Sequence, residues 1–171
     1  MAWKWLLQYG LPMSHWKESV GYSPATQRLT FQVGVPLQFS IGRYVGEPNP
    51  KAKKWYVWGD CHKHCEVVGW GKNEGAPIVL VEDLISAHKV AEAGYVAIPL
   101  FGTQVHNPVL YYLLNSDKQV VLWLDKDQEG NVKKTAIRLQ SIINRPVSLV
   151  ITDKDPKCLS FEVINESLSS V

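Results

Sequence analysis

From residue 78 onward, short, nearly unbroken apolar runs alternate with longer stretches in which apolar positions recur at helical spacing. The runs are residues 78–81 (IVLV), 95–99 (YVAIP), 120–124 (VVLWL, preceded by Gln119) and 147–151 (VSLVI, interrupted only by Ser148). They are rich in β-favouring residues, too short for buried helices and lack polar alternation, which predicts strands covered on both faces. Helices are predicted over residues 84–93, stopped by Gly94, and over 107–115. A third is predicted over 132–144, carrying Ile137, Leu139, Ile142 and Ile143 after a Gly130-Asn131 break, and a last over about 160–168. Strands alternating with helices imply right-handed βαβ units and a parallel sheet. The run at 120–124, followed directly by Asp125-Lys126-Asp127, reads as a central strand.

Before residue 76 the pattern is different. Trp3, Leu6, Leu7 and Leu11 fit one short helix broken at Gly10 and Pro12. Ser14 is placed to cap a second, which carries Trp16 and Val20 and ends at Gly21. Gly21-Tyr22-Ser23-Pro24 reads as a turn. Residues 27–34 and 37–44 alternate around Gly34-Val35-Pro36 and predict an antiparallel hairpin. Residues 67–76 hold three glycines and mark a boundary. The expected organisation is a small N-terminal α+β subdomain over 1–75 and an α/β domain over 76–171, a parallel sheet flanked by helices.

Composition adds three points. With 46% hydrophobic residues the chain can bury a core, and its net charge of +2 hides a basic first part and an acidic second. That polarity suits a polyanion held beside a carboxylate cluster. Six of the seven tryptophans fall before residue 76, as core contacts or as base-stacking surfaces. Three cysteines argue against a disulfide scaffold, and neither a signal peptide nor a membrane-length apolar run stands out. The expectation is a soluble cytoplasmic protein. Cys61 and Cys65 have zinc-pair spacing without a second pair, and read as incidental thiols.

The candidate chemistry is acidic. Glu82 follows the first strand of the second part, Asp125 and Asp127 follow the third, and Asp155 lies just beyond the fourth. Parallel strands end on one edge of a sheet, so these acids can share a crevice at the customary place for a site in an open α/β sheet. Carboxylates gathered this closely need a cation, and a hard, oxygen-seeking ion suits them. Each acid alone also fits an ordinary helix first turn. No serine–histidine–aspartate set, phosphate-binding glycine loop or dinucleotide fingerprint is present.

These motifs resemble the Toprim domain, and with the first part they resemble the catalytic core of bacterial and bacteriophage DnaG-type primases. Val79-Leu80-Val81-Glu82 matches the strand–glutamate motif, followed by the segment from Gly94 to Gly102-Thr103. Asp125-Lys126-Asp127 with Gly130 matches the DxD motif, and Lys154-Asp155-Pro156 the KDP ending. In the first part, Tyr22-Ser23-Pro24, residues 28–31, Ile41-Gly42-Arg43 and residues 54–60 fit the primase side. Two features depart from the pattern. Where the family reads Glu-Gly-x-x-Asp, this chain has Asp83 for glycine and Ser86 for the second carboxylate, leaving the number of ions open. The zinc-binding module and helicase that often accompany such primases do not fit in 171 residues.

The resemblance implies that Glu82, Asp125, Asp127 and Asp155 hold Mg²⁺ or Mn²⁺, with Glu82 also a general acid or base. It implies that Arg43, Lys53 and Lys54 contact nucleotide or template phosphates, with Lys126 beside the carboxylate rim. The implied activity is metal-dependent nucleotidyl transfer, making RNA primers from nucleoside triphosphates on single-stranded DNA, with a phage-encoded protein acting in the host cytoplasm. A separate partner would supply the helicase or zinc module. The alternatives are a Toprim nuclease and a non-catalytic nucleic-acid-binding replication accessory.

Overall fold

The computed structural model describes all residues except Met1, Lys17, Glu18, 70–74 and 126–128, and except the side chains of Ala2, His15, Asp125, Glu129 and Asn131. The chain forms two compact units, Met1–His64 and Cys65–Val171. Residues 65–69 pack with the second unit, where Val68 pairs with Ala97 through mutual backbone hydrogen bonds.

The first unit begins with α1 (Ala2–Leu7) and a 3-10 turn at Met13–Trp16. An antiparallel sheet follows: β1 (Val20–Ser23), β2 (Arg28–Val33), β3 (Phe39–Tyr44) and β4 (Trp55–Trp58), in that spatial order. The β2–β3 hairpin is the one expected. Val20–Ser23 corrects the sequence reading: these residues form a strand in register with β2, Val20 opposite Phe31 and Ser23 opposite Arg28. Val20 and Tyr22 are good strand formers, and the ladder outweighs the local turn preference of Gly21 and Pro24. One sheet face carries Leu29, Phe31, Val33, Phe39 and Ile41, all buried, and Trp16 meets Phe31 edge-on at 5.6 Å between ring centroids.

The second unit contains β5 (Ile78–Val81), α2 (Leu84–Glu92), β6 (Val96–Pro99), α3 (Asn107–Leu114), β7 (Val120–Asp125), α4 (Glu129–Ile143), β8 (Val147–Thr152) and α5 (Phe161–Ser169). Its four strands are all parallel, in the order β6-β5-β7-β8, so β7 is an inner strand. Ile78, Leu80, Val96, Ile98, Val120, Leu122 and Leu124 face α3 and α4 through Val109, Leu113, Val132, Ala136, Leu139 and Ile143. Val79, Val81, Val121, Trp123 and Val150 face α2 and α5 through Ala87, Val90, Ala91, Ile164 and Leu168. Cover on both faces is why these strands read as unbroken apolar runs. Helix α4 starts at Glu129, so Gly130 and Asn131 lie within its first turn rather than breaking the chain before it. No helix among the described residues is long and apolar enough to cross a membrane.

Candidate metal and nucleotide site

The carboxyl ends of β5 and β7 bring Glu82 and the Asp125 backbone to one edge of the sheet, and Asp155 follows the end of β8. Val81 pairs with Trp123, so Glu82 is level with Leu124 and one residue short of Asp125. From strand spacing and rise, those backbones lie about 6 Å apart. Asp125 in turn pairs with Thr152 of β8. Asp127 and Lys126 lie outside the described residues.

Glu82 is pinned through its backbone. Val81 O accepts from Leu100 N at 2.8 Å, and Glu82 O accepts from Gly102 N at 3.2 Å. Between those donors Phe101 sits at φ +53°, a left-handed conformation that aromatic residues rarely adopt. The loop after β6 therefore holds a strained residue at the rim, as functional loops often do.

Asp83 caps α2. Its Oδ1 accepts from Ile85 N at 2.9 Å and Ser86 N at 3.1 Å, while the Ser86 hydroxyl donates to Oδ2 at 2.9 Å. Lys157 Nζ donates to the same Oδ2 at 2.8 Å and also to Asp155. The two departures from the family pattern thus form one unit: Ser86 is buried, serving the cap. The ammonium of Lys157 bridges the loop after β5 to the loop after β8. Sequence reasoning missed Lys157, although its place two residues after Asp155 was a usable signal.

Asp155 is further positioned by a chain of hydrogen bonds. The indole of fully buried Trp123 donates to Thr152 Oγ1 at 2.8 Å, and that hydroxyl donates to Lys154 O at 2.7 Å. This fixes the backbone just before Asp155. Among the described residues, Glu82 and Asp155 carry carboxylate oxygens of the kind a hard divalent ion selects, and Lys157 supplies positive charge to Asp83 and Asp155. Among the described residues, no three His, Cys, Asp or Glu side chains lie close enough together to hold a metal ion. Beside the β6 loop, a cavity of about 420 Å³ is lined by Thr103, Gln104, Lys134 and Arg138 among others.

Arg43, Lys53 and Lys54 belong to the first unit. Arg43 lies 4.9 Å from the Trp5 ring centroid and 5.6 Å from that of Trp55, a double cation–π contact. Lys53 and Lys54 are exposed at the entrance to β4. Cys61 is buried, which pushes its thiol up, and burial together with Glu66 pushes Cys65 up to about 12. These surroundings favour protonated thiols in the metal-free chain.

No family model matches the sequence, and no curated protein does. Solved structures match throughout. The RNA polymerase domain of Mycobacterium tuberculosis primase DnaG superposes with TM-score 0.68 at 14% identity, covering 97% of this chain and 65% of that one. A DnaG catalytic core superposes with TM-score 0.70 at 16% identity, covering 96% of this chain and 72% of that one. A DnaG primase catalytic domain bound to single-stranded DNA gives 0.62 at 17%, covering 84% and 51%. This chain therefore has the fold of a DnaG-type primase catalytic core, a parallel sheet flanked by helices beside an antiparallel sheet. It spans about two thirds of the length of the first of these neighbours.

Proposed function

We propose that this chain is the core of a primase-type nucleotidyltransferase that joins nucleoside triphosphates into RNA on a single-stranded DNA template. The observation that supports it most is the backbone register that sets Glu82 and Asp125 at adjacent strand ends, within a fold like that of primase cores. Glu82, Asp125, Asp127 and Asp155 are the residues that would hold Mg²⁺ or Mn²⁺. A bound ion of this kind supplies Lewis acidity and screens triphosphate charge. Lys157 ties Asp155 to Asp83, and Asp83 caps the start of α2 one residue after Glu82. Glu82 would take the proton of the attacking 3′-hydroxyl. Arg43, Lys53, Lys54 and Lys126 offset phosphate charge on template and nucleotide. The single-stranded DNA of one structural neighbour supports that choice of partner. A zinc-binding module and a helicase would act together with this core, in the cytoplasm where the template lies.

The test incubates labelled template with nucleoside triphosphates and Mg²⁺ or Mn²⁺, for wild type, Glu82→Ala and Asp125→Ala. Template-dependent oligoribonucleotides from wild type, reduced at least a hundredfold in both variants, are expected. Full activity in either variant refutes the assigned site. Shortened template identifies a Toprim nuclease instead, and binding without turnover identifies an accessory protein.

A further inference from the structure

The open face of the first unit's sheet carries a feature that none of the assignments above uses. The ladder registers put Ser23, Arg28, Thr30, Gln32, Ser40, Gly42, Tyr44, Tyr56 and Trp58 on the face opposite the core. This face is polar except at one corner. There Tyr56 and Trp58, on outer strand β4, are 43% and 38% exposed with ring centroids 4.9 Å apart.

The corner is built. Arg28 is buried beneath it, donating to Gly42 O at 3.0 Å and Lys53 O at 2.7 Å. Its guanidinium lies 5.5 Å from the Tyr44 ring centroid and 5.8 Å from that of Tyr56. The Tyr44 hydroxyl is held within 2.9 Å of Gln27 Oε1 and 3.0 Å of Glu47 O. Trp58 lies over Gly42: a Cβ there would sit 2.5 Å from the indole ring, so only glycine lets Trp58 rest against the sheet. A recess of about 500 Å³ is bounded by Thr26, Arg28, Tyr44, Asn49, Tyr56 and Trp58.

We propose that this corner is a stacking platform for the bases of a single-stranded nucleic acid, whose phosphates run past Lys51, Lys53 and Lys54. The inference deepens the nucleic-acid reading above and rests on it. Three observations select this occupant. The rings stand among polar and cationic groups rather than in an apolar patch, unlike a protein-docking surface. Exposed Lys53 and Lys54 precede Tyr56 by two or three residues, placing their backbones within about 10 Å of it. Residues 1–64 carry eight Lys and Arg against three Asp and Glu, a charge that suits a polyanion. Aromatic rings on an open sheet face, flanked by cations, are how several unrelated single-strand binders accept any base.

The test measures binding of a fluorescent oligothymidylate to the full chain, without divalent ions, across a salt series. Replacing both rings (Tyr56→Leu with Trp58→Leu) is expected to weaken binding about 10–100-fold with an unchanged salt slope. Lys53→Gln with Lys54→Gln is expected to lower the slope by about 1.4. Gly42→Ala, which lifts Trp58 while keeping both rings, is expected to weaken binding about 3–10-fold. Oligonucleotide quenching of tryptophan emission should be smaller in Trp58→Leu than in wild type. Affinity within twofold of wild type for the double ring variant, with native circular dichroism, overturns the proposal. If that variant loses its native spectrum, unchanged affinity in Gly42→Ala together with undiminished quenching in Trp58→Leu overturns it equally. Failure of wild type to bind any single strand also overturns it. Primer synthesis by wild type with unaltered affinity in the ring variants refutes the platform alone. Ring-dependent binding without primer synthesis refutes the catalytic reading alone.

Discussion

Replacing Lys157 with methionine removes the ammonium that joins Asp83 to Asp155 and nearly keeps the side chain's length. The three side chains are only 17%, 18% and 22% exposed, so water cannot take over that role cheaply. At 2.8 Å and an effective dielectric of about 20, the gross attraction to Asp83 alone is about 6 kcal/mol. Most of it is offset by the desolvation of the ammonium. Deleting one partner of a fully buried pair costs about 3–5 kcal/mol. Here Asp83 keeps two backbone N–H donors and the Ser86 hydroxyl, and all three groups retain some water. The expected loss is therefore about 2–3 kcal/mol, a fall of about 5–10 °C in melting temperature. Scanning calorimetry reads it directly. Lys157→Arg should lose less than half as much, and Lys157→Met combined with Asp155→Asn should recover part of the loss, since one stranded charge is gone. Mg²⁺ should stabilise Lys157→Met more than wild type, because an ion can stand where the ammonium stood. A Lys157→Met protein melting within about 1 °C of wild type would refute the reasoning.

Two further predictions use a buried lysine and a half-buried cysteine. Lys89 is 6% exposed, with Nζ 4.1 Å from the Phe161 ring centroid, and burial pulls its pKa below 10.5, against the opposing pull of Cys158 and Glu162. The unfolded chain then holds this proton more tightly. The resulting loss of stability is fully present below the folded-state pKa and disappears as pH rises toward 10.5. Urea unfolding at about pH 7.5 and about pH 10 should show wild type gaining on Lys89→Met with rising pH, and a zero or opposite difference would contradict the assignment. Cys65, pushed up to about 12, should have about a thousandfold less thiolate near pH 8 than an ordinary thiol of pKa 9.0. Iodoacetamide with mass spectrometry should therefore label exposed Cys158 first and leave Cys65 unmodified until the chain unfolds. Equal labelling rates would show that Cys65 is not held in those surroundings.

Some of this protein was determined by its sequence alone. Residues 78–81 and 120–124 are apolar at every position, which only a strand covered on both faces tolerates, and the parallel sheet follows from that together with the intervening helices. The edge at which Glu82, Asp125 and Asp155 emerge follows as well, because strand direction is common to every βαβ unit. Other features depended on partners far away in the chain. Residues 20–23 became a strand because β2 offered a ladder, which no local preference of Gly21 or Pro24 reveals. The joint purpose of Asp83 and Ser86 emerged only with Lys157, 74 residues from Asp83 in sequence. Gly42 looks like a weak point in a strand until the Trp58 indole is seen lying over it. Periodicity reports which face of an element is covered; which side chain meets which is settled by packing, where contacts between distant residues outweigh local preference.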